Sequence, residues 1–149
     1  SPDIPDPTIR VAVDASFVIT FDEAMQKVSP MLANAFVIEE EKTPGSGTYD
    51  PFEVVDPANV TIDGANVTIN PSRTFKSTTK YRMTILANTL EDLAGNDYAQ
   101  PLQGSFTTED IVAPTVTYNP ANSATNVSVA TAALTFTFDE PIRLLDNSK

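Results

Sequence analysis

Apolar and polar residues alternate with period two along much of the chain. Phe17, Ile19 and Phe21 alternate with Val18 and Thr20. Tyr81, Met83, Ile85 and Ala87 alternate with Arg82, Thr84, Leu86 and Asn88. Leu134, Phe136 and Phe138 alternate with Thr135 and Thr137. Successive side chains of a strand point to opposite faces, so each run predicts a strand with one buried face. Phe21, Tyr81, Met83, Ile85 and Phe106 are expected to meet in one core. Val60–Ile62 and Val67–Ile69 flank Asp63-Gly64-Ala65-Asn66. An Asp-Gly step between two alternating runs predicts a hairpin.

The full reading places strands near 8–13, 16–21, 34–41, 52–56, 59–63, 66–70, 79–88 and 103–108. Further strands are expected near 115–118, 126–129 and 133–138. Prolines, Pro51 among them, are read as lying between the runs, where a missing N–H does no harm. The segment 23–33 is read as a helical turn or a loop. Residues 89–94 are read as one helical turn that Gly95 terminates. Many short strands with few helices predict an all-β immunoglobulin-like sandwich, Greek-key, of about seven strands, plus partial strands of a second module.

The second module rests on an internal repeat. Ser1-Pro2 followed by Ile19-Thr20-Phe21-Asp22-Glu23-Ala24-Met25 recurs as Asn119-Pro120 followed by Phe136-Thr137-Phe138-Asp139-Glu140-Pro141-Ile142. The offset is about 117 residues, a repeat of whole-domain length. The expected organisation is a module at 1–108, a linker at 109–113, and the N-terminal part of a second module at 114–149. We expect both to belong to a longer tandem-repeat chain, with targeting signals outside residues 1–149.

Charge narrows the function classes. The 149 residues carry 20 acidic and 9 basic side chains, a net charge of −11. Phosphate backbones and anionic lipid both need a basic footprint, so neither nucleic-acid binding nor docking on anionic lipid is expected. No apolar run approaches membrane-spanning length, so membrane insertion is not expected either. The chain has neither Cys nor His. The usual zinc ligands, the thiol nucleophile and the commonest general base are therefore missing. No Trp offers a sugar platform, and no enzymatic activity is expected. A bound metal would have to suit oxygen ligands, as calcium does.

Several motifs together resemble a known family. A strand ending in ITFDEAM (19–25) is followed by a hairpin carrying VTIDGANVTINPSRTF (60–75) and by TTKYRMTI (78–85). EDLAGND (91–97) and GSFTTED (104–110) come next, and APTVTYNPANSATNV (113–127) opens a new module. This sequence resembles the bacterial Ig-like domains of S-layer and tandem-repeat surface proteins, the SbsA-like group. The resemblance implies a structural or spacer module of a secreted or cell-surface bacterial protein. Its implied partners are neighbouring Ig-like modules of the same chain and a surface polymer or cell-surface partner. The stretch from Ala33 to Pro57 departs most from the family pattern. The alternatives are an adhesin or carbohydrate-binding module, with Gly45–Asp56 as the seat of its site, and an accessory domain of an extracellular hydrolase.

Two acidic motifs are candidate calcium sites. Asp92, Asn96 and Asp97 surround Gly95 and supply hard oxygens at close spacing. The competing reading is turn chemistry, in which Asp and Asn bond their own backbone. Asp22 and Glu23 close a strand, as Asp139 and Glu140 do in the repeat. The alternative to a structural role is a cation site at a module junction, to which Glu109 and Asp110 of the linker contribute. Tyr49, Phe52, Tyr98 and Tyr118 either contact ligands from loops or plug the ends of the core. Finally, the apolar strands of 114–149 lack the rest of their module. They are expected to be disordered, to fold back, or, as preferred, to pair two copies into a homodimer.

Overall fold

A computed structural model describes residues 10–121, 123, 125, 126 and 133–143. The chain divides into two compact units between Ile111 and Val112. Among the described residues the first contains ten strands: β1 (Arg10–Val11), β2 (Phe17–Thr20), β3 (Met25–Lys27), β4 (Phe36–Glu41), β5 (Tyr49–Val54), β6 (Val60–Asp63), β7 (Asn66–Ile69), β8 (Lys80–Ile85), β9 (Leu90–Asp92) and β10 (Leu102–Thr108). The second contains β11 (Val116–Asn119) and β12 (Thr135–Phe138). The expectation for 127–129 lies outside the described residues.

The first unit is a sandwich. One sheet has the order β1-β10-β8-β4-β5, and the facing sheet has the order β2-β7-β6. β1 runs parallel to β10, and every other pairing in these sheets is antiparallel. The inward residues of both sheets form one cluster, including Phe17, Ile19, Val67 and Ile69 from one side and Phe36, Ile38, Tyr81, Met83, Ile85 and Phe106 from the other. The Phe17 and Phe106 rings meet at 4.7 Å across the two layers. Phe21 joins this cluster as expected. In β8 the alternation read from the sequence is the alternation observed: Tyr81, Met83 and Ile85 are buried, and Lys80, Arg82 and Thr84 are half-exposed. In β12, expected to bury one face, Phe136 and Phe138 are exposed along with Thr135 and Thr137, because only β11 pairs with it.

Each of the two segments read as a helical turn or loop contains a short strand instead of a helical turn, while 28–33 is a loop, as the second reading had it. β3 and β9 form a two-stranded ribbon, with Met25 opposite Asp92 and Lys27 opposite Leu90. Each is only three residues long, too short to show a period, and their pairing is long-range. The segment from Gly45 to Asp56 is also more regular than expected. β5 pairs with β4, and its register shifts by one residue at Ile38/Glu39. Pro51 sits inside β5 rather than between strands. It is tolerated because β5 is the sheet edge and the shift occurs beside it. A single 3₁₀ turn, Pro57–Asn59, then leads into β6, capped by the Asp56 carboxylate on Ala58 N–H at 2.8 Å.

Candidate functional site

The acidic turn after β9 is built around one carboxylate. Asp92 Oδ1 accepts the backbone N–H groups of Ala94 and Asn96, both at 2.8 Å, and Oδ2 accepts Asn96 Nδ2 at 2.7 Å. Gly95 N–H donates to the Asp92 carbonyl at 3.1 Å. Gly95 has φ +86°, a conformation that glycine adopts without strain. The Asn96 side-chain amide, with the backbone N–H groups behind it, holds the Asp92 carboxyl below the usual range. Both carboxylate oxygens thus face N–H donors, a geometry that fastens a turn and fits a cation poorly. Asp97 is exposed and pairs with Glu91 in an isolated bridge.

The other predicted ligands lie elsewhere. Asp22 and Glu23 are exposed on the connection from β2 to β3, at the end of the sandwich where Phe21 packs on Tyr98. Glu109 and Asp110 follow β10 at the other end. There Glu109 N–H donates to the Val11 carbonyl at 2.9 Å and Ser77 Oγ donates to Asp110 Oδ1 at 3.2 Å. Among the described residues, no three acidic side chains converge into a group able to hold a metal. Within the first unit the strand order places Asp22 and Glu23 away from Glu109 and Asp110.

The remaining acids also have structural partners. Glu39 pairs with Arg82 at 2.7 Å and Glu40 with Lys76 at 2.6 Å. Glu41 is buried and accepts the N–H groups of Gly47 at 3.0 Å and Gly45 at 3.1 Å. These backbone donors, Gly47 foremost, lower its pKa. Glu53 holds the 72–73 turn, accepting Ser72 N–H at 2.8 Å and Arg73 N–H at 3.1 Å. The sequence shows the acid run before Gly-Ser-Gly, but the cradle appears only once β4 and β5 are paired.

The aromatic candidates divide. Phe52 is buried, Tyr98 plugs the Phe21 end of the core at 5.4 Å, and the Arg82 guanidinium lies 4.2 Å over the Tyr49 ring. Tyr118, in the second unit, is exposed and packs edge-on to Phe136 at 5.4 Å. One shallow apolar groove of about 410 Å³ runs between β3 and the β6–β7 hairpin, floored by Met25 and Ile62 and flanked by Leu93. Two hydroxyls whose partners the sequence does not show, that of the expected core residue Tyr81 and that of Thr108, hold the core to its loops. The Tyr81 phenol oxygen accepts Lys76 N–H at 2.9 Å. Thr108 Oγ1 accepts Thr79 N–H at 2.9 Å and donates to the Lys76 carbonyl at 2.5 Å. Among the described residues no helix is long and apolar enough to cross a membrane.

No characterised protein and no solved structure matches the chain. The family profile of bacterial Ig-like domains matches residues 3–108, the stretch that supplies both sheets of the sandwich. With most of its length matched and its core built as that fold requires, the chain belongs to the bacterial Ig-like domain family.

Proposed function

We propose that this chain is a non-catalytic spacer from a tandem-repeat bacterial surface protein, of the kind found in S-layer-like assemblies. The observation that carries this reading is the recurrence of the β2 sequence in β12, about 117 residues later, each run closing in Phe-Asp-Glu. A chain that repeats a strand at domain spacing is a row of similar modules, and a row of sandwiches sets distance. The use of the acids supports the same reading. Glu39, Glu40, Glu41, Glu53 and Asp92 are engaged in ion pairs and turn-fastening hydrogen bonds, so the dense charge has structural roles and makes the surface soluble.

Glycan arrays and pull-downs on cell-wall polymer, with the chain immobilised through its C-terminus, test this. A spacer retains no ligand selectively. Selective, saturable retention of one glycan would replace the spacer reading with an adhesin.

A further inference from the structure

We propose that β2 is an acceptor edge, and that the strand it accepts is β11 of a second copy of this chain. β2 ends its sheet, with β7 on one side and no strand on the other among the described residues. Its open side can be identified. Phe21 N–H bonds the Ala65 carbonyl at 2.9 Å, and Ile19 and Phe17 stand opposite Val67 and Ile69. Hydrogen-bonded pairs alternate along an antiparallel ladder, so Phe17, Ile19 and Phe21 turn their backbone groups to β7. The backbone groups of Val18, Thr20 and Asp22 therefore face the open edge.

The second unit shows what fits such an edge. β12 is the sequence repeat of β2, and it pairs with β11 in antiparallel register, Thr117 opposite Thr137 and Asn119 opposite Thr135. Asp139 N–H bonds the Thr115 carbonyl at 3.2 Å, so Thr135, Thr137 and Asp139 are the residues bonded to β11. Their repeat counterparts are Val18, Thr20 and Asp22, the residues that face the open edge of β2. The Asp139 side chain locks the register, accepting Thr115 N–H at 2.8 Å and Thr115 Oγ1 at 2.6 Å. Asp22 occupies the same place after β2, exposed and with no hydrogen-bond partner for its carboxylate among the described residues. The edge thus presents both the backbone phase and the side-chain clamp that β11 uses.

Exchange has a driving force. In the second unit β11 and β12 form a two-stranded ribbon with Tyr118, Phe136 and Phe138 exposed. Such a ribbon is marginal in water. On β2, β11 would keep the same ladder and exchange the Asp139 clamp for one by Asp22. Val116 and Tyr118, which face Phe138 and Phe136 in the ribbon, would instead stand beside Phe21 and Ile19, over a packed core. Two copies that each lend β11 to the other close a symmetric dimer, the form of β-strand addition that leaves no free donor.

Light scattering on the full chain at rising concentration should give twice the 16.0 kDa mass of one chain. Val18→Pro removes an N–H from the open edge without touching the β7 ladder, and Thr117→Pro removes one from the donor strand. Each should return the mass to that of one chain, and Thr117→Pro does so without altering the first unit. The amides of Val18 and Thr20 should exchange slowly in the dimer and fast in either variant. A single-chain mass at every concentration overturns the proposal, as does a dimer that survives Thr117→Pro. Slow exchange of Val18 and Thr20 in a monomer overturns it too, because the edge is then covered within one chain.

Discussion

Thr108 has no measurable exposure, and its hydroxyl ties the end of β10 to the 76–79 turn. Thr108→Val replaces the hydroxyl by a methyl of nearly the same volume, so no cavity opens. The change takes away the acceptor of Thr79 N–H and the donor to the Lys76 carbonyl. Lys76 is exposed, so its carbonyl can recover water. The Thr79 N–H is part-buried against Thr108, on a half-exposed residue, and recovers water less fully. A buried donor left without a partner costs about 1–3 kcal/mol, and this is the loss expected for Thr108→Val. Thr108→Ser is the control. It keeps the hydroxyl and removes one methyl, for about 0.8 kcal/mol of lost burial. The chain has no Trp, so urea unfolding is best followed by far-UV circular dichroism and tyrosine fluorescence. In a thermal scan each kcal/mol corresponds to about 4–8 °C for a domain of this size. Thr108→Val should be the worse variant, with faster exchange at the Thr79 amide. A Thr108→Val protein as stable as Thr108→Ser would mean that the hydroxyl contributes nothing beyond its volume, and the argument would fail.

Three further outcomes are expected. Ile85→Ala should lower stability by about 2–5 kcal/mol, the range for truncating a fully packed aliphatic side chain, and a loss under ~0.5 kcal/mol would mean that the wrong face of β8 is buried. Asp92 has a folded-state pKa below its unfolded value of 3.8, so its contribution is fully present above that value and is lost as pH falls through the folded pKa. Asp92→Asn should therefore flatten the acid limb of the stability-versus-pH curve, and an unchanged limb in equilibrium unfolding refutes the assignment. Because N–H donors already face both Asp92 oxygens, thermal scans in EDTA and in millimolar calcium should superimpose, and a rise in melting temperature with calcium would show a site that binds the folded state.

The sequence by itself determined the sandwich class, the inward faces and the turns. Phe17-Ile19-Phe21 and Tyr81-Met83-Ile85 are legible because burying one face of a strand imposes a period of two, and each residue reports its own face. Asp63-Gly64 and Gly95 are legible because a reversal needs a residue tolerant of positive φ. The repeat of β2 in β12 is likewise written in the residue order alone. What the tertiary structure decided is which distant segments meet. β3 and β9 are three residues each; nothing in either stretch reveals a strand, and only their pairing makes them one. The acids illustrate the same limit. Asp22 and Glu109 look like partners in sequence because each is the first of two adjacent acids just after a strand run. The fold carries them to opposite ends of the sandwich, while Glu41, visible in the sequence only as part of an acid run, and Glu53, unremarked there, become the anchors of two turns. Carboxylates act through what lies within about 3 Å of them, and in a sheet protein those neighbours come from strands tens of residues away.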